Sequence, residues 1–257
     1  ADIDADAVSP SGLAKLGAID PASLPQVPAG VRVGAPVTGS RNFIAVGLNY
    51  EDHARETGAD IPKEPILFNK LANCIVGPND NVIMPRGAKK LDWEVEIAFV
   101  VSKQARYVDE ADAFDYIAGY AVCNDVSERH FQAERGGQWM KGKCFETSGP
   151  LGPWLVTPDE VGDPHDLEIR ALVNGEERQH SNTKHLIFDC YDAIEHLTQA
   201  FTLDVGDVLF MGTPAGVGAA MKPPHFLKEG DVVRIEIDKL GFIENRVAAE
   251  QASCIIE

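Results

Sequence analysis

The sequence predicts a β-rich α+β domain, and three observations carry that reading. Short apolar runs recur along the chain at lengths suited to strands. They do not alternate regularly with helical segments, which argues against a doubly wound parallel sheet. Asn174-Gly175 divides Leu167–Val173 from a polar run, a strong hairpin signal because a type I′ turn needs positive φ at both central residues.

Residues 1–41 are rich in Ala, Pro, Gly and Asp and read as an N-terminal arm. Leu13 to Ile19 is expected as a short helix, before Pro21, Pro25 and Pro28 break the pattern. The character changes at Asn42, and residues 42–257 read as the main unit. Phe43 to Gly47 is a short apolar strand. Asn49 is placed to cap a helix from Tyr50 to about Thr57, stopped by Gly58. Further strands are expected at Ile66–Phe68, Asn81–Met84, Trp93–Val101, Ile117–Asn124, Leu167–Val173, Val208–Met211 and Val232–Ile237. Helices are expected near Ser127–Arg135 and Tyr191–Phe201.

With 257 residues, 44% of them hydrophobic, the chain can bury a sizeable core. No stretch approaches the roughly 20 apolar residues of a membrane helix. The net charge of −17 opposes nucleic acid or an anionic membrane as a partner. Cysteines at 74, 123, 144, 190 and 254 are odd in number and lack CxxC spacing, so neither a disulfide framework nor a cysteine zinc site is expected. No signal-peptide pattern and no Asn-x-Ser/Thr site is seen in these residues, and a cytoplasmic setting is expected. The chain starts at Ala1 without a methionine, so a preceding segment is expected to be missing.

Four constellations could carry chemistry. In Asp92-Trp93-Glu94-Val95-Glu96-Ile97, strand alternation sends Trp93, Val95 and Ile97 to one face and both glutamates to the other. That pair reads as the wet side of a strand or, with Asp125, as an all-oxygen site for a hard cation such as Mg2+ or Mn2+. Asp125 alone is equally a strand-end turn residue. His53 and Glu56 share one helix face, as a water-activating pair or as routine surface charge pairing. Lys143, in Lys141-Gly142-Lys143, is a basic loop tip or a partly buried cation awaiting an anion, and Lys70 poses the same question. Met211-Gly212-Thr213-Pro214-Ala215-Gly216-Val217-Gly218 lacks the Gly-Lys-Ser/Thr ending of a phosphate loop. It reads better as a turn offering N–H groups and the Thr213 hydroxyl to a carboxylate.

Together and in this order the motifs resemble the fumarylacetoacetate hydrolase family. Gly47-Leu48-Asn49-Tyr50 with His53 and Glu56 opens the series. Pro65 to Lys70, Glu94-Val95-Glu96 and Asp125-Val126-Ser127 continue it. Gln138-Trp139, Gly142-Lys143, Gly206-Asp207 and the glycine-rich run from Gly212 to Gly218 close it, over about residues 42–247. The resemblance implies a mixed β-roll, usually homodimeric, around Mg2+ or Mn2+ held by Glu94, Glu96 and Asp125. It implies catalysis by His53, Glu56 and Lys143, with His53 and Glu56 on a lid segment. Substrate contacts are implied for Lys70, Arg129, Gln132 and Thr213.

The implied reaction is hydrolysis of a 2,4-diketo acid to pyruvate and a carboxylic acid. The nearest branch acts on acylpyruvates and 2,4-diketo-3-deoxy-L-rhamnonate, and some of its members are labelled ureidoglycolate lyase by similarity. Isomerisation of hydroxymuconate-type acids, decarboxylation of oxaloacetate-like acids and a binding protein without catalysis are the alternatives. One departure concerns the helix after Asp125. Relatives read Ser-Ala-Arg-Asp where this chain has Ser127-Glu128-Arg129-His130, which puts the substrate contacts of that helix in question.

Overall fold

A computed structural model describes residues 3–251. Cys254 lies outside the described residues. The strands are β1 (Phe43–Gly47), β2 (Ile66–Lys70), β3 (Ile75–Val76), β4 (Val82–Met84), β5 (Leu91–Asp92), β6 (Val95–Val101) and β7 (Ile117–Asn124). They continue with β8 (Ser127–Glu128), β9 (Gly149–Val156), β10 (Glu168–Val173), β11 (Glu176–Asn182), β12 (Val208–Phe210), β13 (Val232–Ile237) and β14 (Gly241–Ala249). The helices are α1 (Ala5–Val8), α2 (Pro10–Gly17), α3 (Glu51–Thr57), α4 (Arg129–Ala133), α5 (Met140–Lys143), α6 (Pro158–Val161) and α7 (Cys190–Ala200).

One sheet has seven strands in the order β2-β1-β12-β6-β7-β9-β3. Its β1–β12 and β9–β3 pairs are parallel and the rest antiparallel. A second sheet runs β11-β10-β13-β14-β4, antiparallel except for β14–β4. This is the mixed α+β architecture that the sequence predicts. The β10–β11 hairpin turns at Asn174 (φ 53°) and Gly175 (φ 81°), as the dipeptide requires.

The central strand β6 is apolar on both faces, so both faces are covered. Val95, Ile97, Phe99 and Val101 belong to a core shared with Ile169, Val233, Ile235 and Ile243 of the second sheet and with Ile194 and Leu197 of α7. Each such side chain, fully buried, contributes about 1.5–3 kcal/mol relative to exposure. Ala98 and Val100 point the other way. There Ala45, Ala118, Ala121, Val208 and Phe210 form a second cluster with Val8 and Val37 of the N-terminal arm. Glu94 and Glu96 extend this second face beyond its apolar part, where the site lies.

Several local expectations are corrected. The arm's helix falls at Pro10–Gly17, started by Ser9, whose hydroxyl accepts from Gly12 N at 3.1 Å. Asn49 caps nothing. Tyr50 holds the cap position of α3 without a side-chain cap bond. The buried Asn49 amide instead donates to Phe188 O and Met211 O, each at 2.8 Å, and accepts from Phe188 N at 2.8 Å. It thereby ties β1's end to two distant segments. The helix near Ser127–Arg135 shrinks to Arg129–Ala133 because Ser127 and Glu128 pair with β5. The sequence pattern does not predict strands β9 and β14: β9 contains Pro150 and Pro153, and β14 follows no turn signal of Asn-Gly type.

Candidate active site

The acid pair leaves the strand face dry. Glu94 is 4% and Glu96 2% exposed, and Asp125 is fully buried. β6 pairs with β7 in a register that sets Val95 opposite Asn124, so Asp125 arrives beside the two glutamates. One carboxylate oxygen from each of the three lies within 4.8 Å of the others. Three buried carboxylates at that separation need positive charge between them. An all-oxygen donor set fits a hard divalent cation.

Protein cations already answer part of this need. Lys143 Nζ donates to Glu94 Oε2 and to Asp125 Oδ2, both at 2.6 Å. Arg129 Nη2 lies 2.7 Å from Glu94 Oε1, off the line of a directed hydrogen bond. Burial pushes the Glu94 carboxyl up, but Lys143 and Arg129 together hold it well below the usual range. Burial, then Asp125 and Glu94, push Glu96 well above that range. Lys143 and the N–H of Gly212, which donates to Glu96 Oε2 at 2.6 Å, oppose this rise. Burial opposes the charge on Lys143, yet Asp125 and Glu94 raise its pKa.

Lys70 lies under this group instead of lining it. Its side chain is fully buried, and Nζ donates to Asp125 Oδ1 (2.6 Å), Lys143 O (2.5 Å) and Ser148 Oγ (3.2 Å). With these partners it orients Asp125 and has no face toward the cavity. The expected substrate contact at Lys70 is therefore replaced by a supporting one.

His53 and Glu56 meet on α3, with His53 Nδ1 and Glu56 Oε1 2.8 Å apart. Glu56 Oε2 also accepts from Gly216 N at 3.0 Å, which ties α3 to the glycine-rich loop. A hydrogen on Nδ1 facing the carboxylate leaves Nε2 with a free lone pair, the tautomer a general base needs. Gly216 has φ 108° and sits against Arg178 O where a Cβ would collide, so only glycine serves there. Gly47 is required for a different reason: a Cβ would strike the Trp139 indole that roofs the site.

These elements enclose a cavity of about 460 Å³. Its walls include His53, Glu94, Glu96, Asp125, Arg129, Gln132, Lys143 and Thr213. Phe68, Trp139, Val217 and Ala219 supply the apolar part. Phe68 and Trp139 pack edge to face with centroids 5.5 Å apart. Glu56 stands behind His53, and Lys70 lies below.

The altered helix motif keeps its arginine in place. Glu128 caps α4, accepting from Phe131 N at 2.6 Å and from Lys89 N and Lys90 N at 2.8 and 2.6 Å. His130 pairs with Glu134 away from the cavity. Arg129 Nε donates to Asp92 Oδ2 at 2.8 Å, and Nη1 donates to Gln132 Oε1 at 3.1 Å. Asp92, which opens the acidic strand motif, has a role that the sequence pattern does not signal. Fully buried, it also accepts from Gly218 N and Ala219 N, so it joins α4 to the glycine-rich loop.

The family model described as fumarylacetoacetate (FAA) hydrolase C-terminal matches residues 42–248. The chain belongs to this family. A Burkholderia ambifaria protein named only by class, as a hydrolase, is 52% identical over 241 residues, covering 93% of this chain and 86% of that one. The structure of 5-carboxymethyl-2-hydroxymuconate delta-isomerase from Mycobacterium smegmatis superposes with a TM-score of 0.77 at 38% identity, over 87% of this chain and 84% of that one. Maleylpyruvate hydrolase from Sphingobium sp. SYK-6, in complex with manganese(II) and pyruvate, gives a TM-score of 0.80 at 29% identity, over 96% and 86%. The chain is thus an enzyme of the hydrolase type with an acidic triad able to hold a divalent metal. Among the described residues no helix is long and apolar enough to cross a membrane.

Proposed function

We propose that this enzyme hydrolyses a C–C bond of a 2,4-diketo acid of the acylpyruvate type, yielding pyruvate and a carboxylic acid. The observation that carries the reading is the convergence of the His53–Glu56 pair and the acid triad on one cavity. Glu94, Glu96 and Asp125 would hold Mg2+ or Mn2+. When bound, the cation supplies Lewis acidity toward the carboxylate and 2-keto oxygens of a chelating acid.

The chain's own groups account for the remaining steps. His53 takes a proton from water, and Glu56 holds the imidazole in the required tautomer. The hydroxide equivalent adds to the 4-keto carbon, and the C3–C4 bond breaks. The electron pair passes to C3 as the enolate of pyruvate, which takes up a proton there. Overall one water is consumed per bond cleaved. Lys143 offers positive charge to the keto-acid end. Thr213 donates to the substrate carboxylate, while Arg129 and Gln132 border the acyl group. Lys70 fixes Asp125. Within this class 2,4-diketo-3-deoxy-L-rhamnonate is the favoured substrate, with a cytoplasmic homodimer as the working form.

A second reading is isomerisation or decarboxylation through the same enolate, and the 38% identical isomerase structure supports the first of these. The base pair favours hydrolysis, since water activation requires it. Product analysis with Mg2+ and acylpyruvates distinguishes the readings. Hydrolysis predicts loss of the enol absorbance with equimolar pyruvate and a second acid. Carbon dioxide without a second acid, or an isomer alone, would overturn it.

A further inference from the structure

Gln179 lies outside every motif discussed above, on the second sheet, yet its side chain reaches the site. It is 1% exposed. In the β10–β11 ladder Ala171 pairs with Gln179 and Leu172 with Glu177, so Arg178 is an extra residue. Such a bulge re-aims the neighbouring side chain, and here Gln179 points at the end of β6. Its Oε1 accepts from Val95 N at 3.0 Å, between the two metal-site glutamates. Its Nε2 donates to Pro214 O and to Thr213 Oγ1, both at 2.8 Å.

The amide orientation is determined twice over. A backbone N–H can only donate, so Val95 must face the oxygen. A backbone carbonyl can only accept, so Pro214 must face the nitrogen. The second Nε2 hydrogen is then committed to Thr213. Its hydroxyl oxygen is an acceptor in that bond, so the hydroxyl hydrogen must point elsewhere. Among the described residues no protein acceptor takes it. Thr213 is 3% exposed and lines the cavity. Facing the cavity, that hydrogen is available to water or to an acceptor oxygen of the ligand.

We propose that Gln179 is a positioning residue that makes the Thr213 hydroxyl an obligate donor to the substrate's acceptor oxygens. This rests on the keto-acid reading of the site and explains how a neutral hydroxyl selects an anionic group there. Gln179 also joins the Thr213 loop to β6 through one amide, so the carboxylate contact and the acid triad share a rigid support.

The test is a double-mutant cycle on acetylpyruvate hydrolysis with Mg2+, using Thr213→Val, Gln179→Leu and the pair. Each single change is expected to raise KM about tenfold, the worth of a hydrogen bond to a charged group. The double variant should also lie near tenfold, not a hundredfold, with kcat held within about threefold. Gln179→Glu keeps an acceptor for Val95 N, and at pH values where its carboxyl is ionised it can only accept and turns the Thr213 hydrogen inward. Its KM should exceed that of Gln179→Leu. Multiplicative KM effects, or a fall in kcat at unchanged KM, would overturn the proposal. If Gln179→Leu does not fold, Gln179→Glu decides, an unchanged KM being the contrary result. Wild-type protein that neither turns over acetylpyruvate nor binds pyruvate would instead remove the keto-acid reading, and the proposal with it.

Discussion

Replacing His53 by alanine is expected to lower kcat for acylpyruvate hydrolysis by about 10²–10⁴-fold, the usual contribution of a positioned general base. His53 meets Glu56 at 2.8 Å on α3, and neither residue belongs to the acid triad. Divalent-metal affinity should therefore stay within a fewfold of wild type. Glu56→Gln should give a smaller loss, because the amide can still hold the ring without stabilising its charged form. The check is steady-state kinetics beside a metal titration of the same preparations. Unchanged turnover in His53→Ala would remove this residue from the reaction. Joint loss of turnover and metal affinity would show that the helix has collapsed.

Replacing Lys143 by methionine should produce the largest change in stability. The ammonium donates to Glu94 and Asp125 at 2.6 Å in a buried setting. Its removal leaves three buried carboxylates with Arg129 and Lys70 as the nearby cations. Breaking a buried pair from one side costs about 3–5 kcal/mol. For a chain of this length that is a Tm fall on the order of 10 °C in metal-free protein.

The pH dependence has a definite sign. In wild type the Glu94 carboxyl is held low by Lys143 and Arg129 against the opposing effect of burial. Its stabilising contribution is thus present above the unfolded carboxylate pKa and is lost as pH falls through the depressed folded value. In Lys143→Met the lysine's share of that attraction is gone while Arg129 remains, and burial moves the folded pKa upward. The penalty is then fully present above the raised value and fades as pH falls toward the unfolded one. The stability gap between the proteins should widen from pH 5 to pH 8, and Mg2+ or Mn2+ should narrow it. Urea unfolding at several pH values, with and without the ion, measures this; a gap independent of pH would contradict it.

Local pattern carried much of the fold. Strict alternation in Trp93 to Ile97 separates core from carboxylates, and Asn174-Gly175 makes its hairpin. Residues whose partners are far along the chain were harder to read. Asn49 has a cap-like position before α3, but its amide is used by Phe188 and Met211, more than a hundred residues away. Lys70 carries the same charge as Lys143 and stands in an equally suggestive motif. Only the packing of β2 beneath Asp125 separates a supporting ammonium from one lining the cavity. Asp92 was legible as part of the acidic strand yet gave no hint of its bonds to Arg129 and the glycine-rich loop. Gln179 sat in a polar run with no chemical signature, and a one-residue bulge brings it inward. β9 was hidden by its prolines and glycines.

The proposed chemistry requires Glu94, Glu96 and Asp125 to act together as a cation site. Calorimetric titration of metal-free protein with Mn2+, run on wild type and on Glu94→Ala, tests this most directly. Wild type should take one ion per chain, and the variant should bind it more than about 100-fold more weakly, since even supporting groups around a metal are worth 10–100-fold. Equal affinity in the two proteins, or no ion bound by wild type, would contradict it.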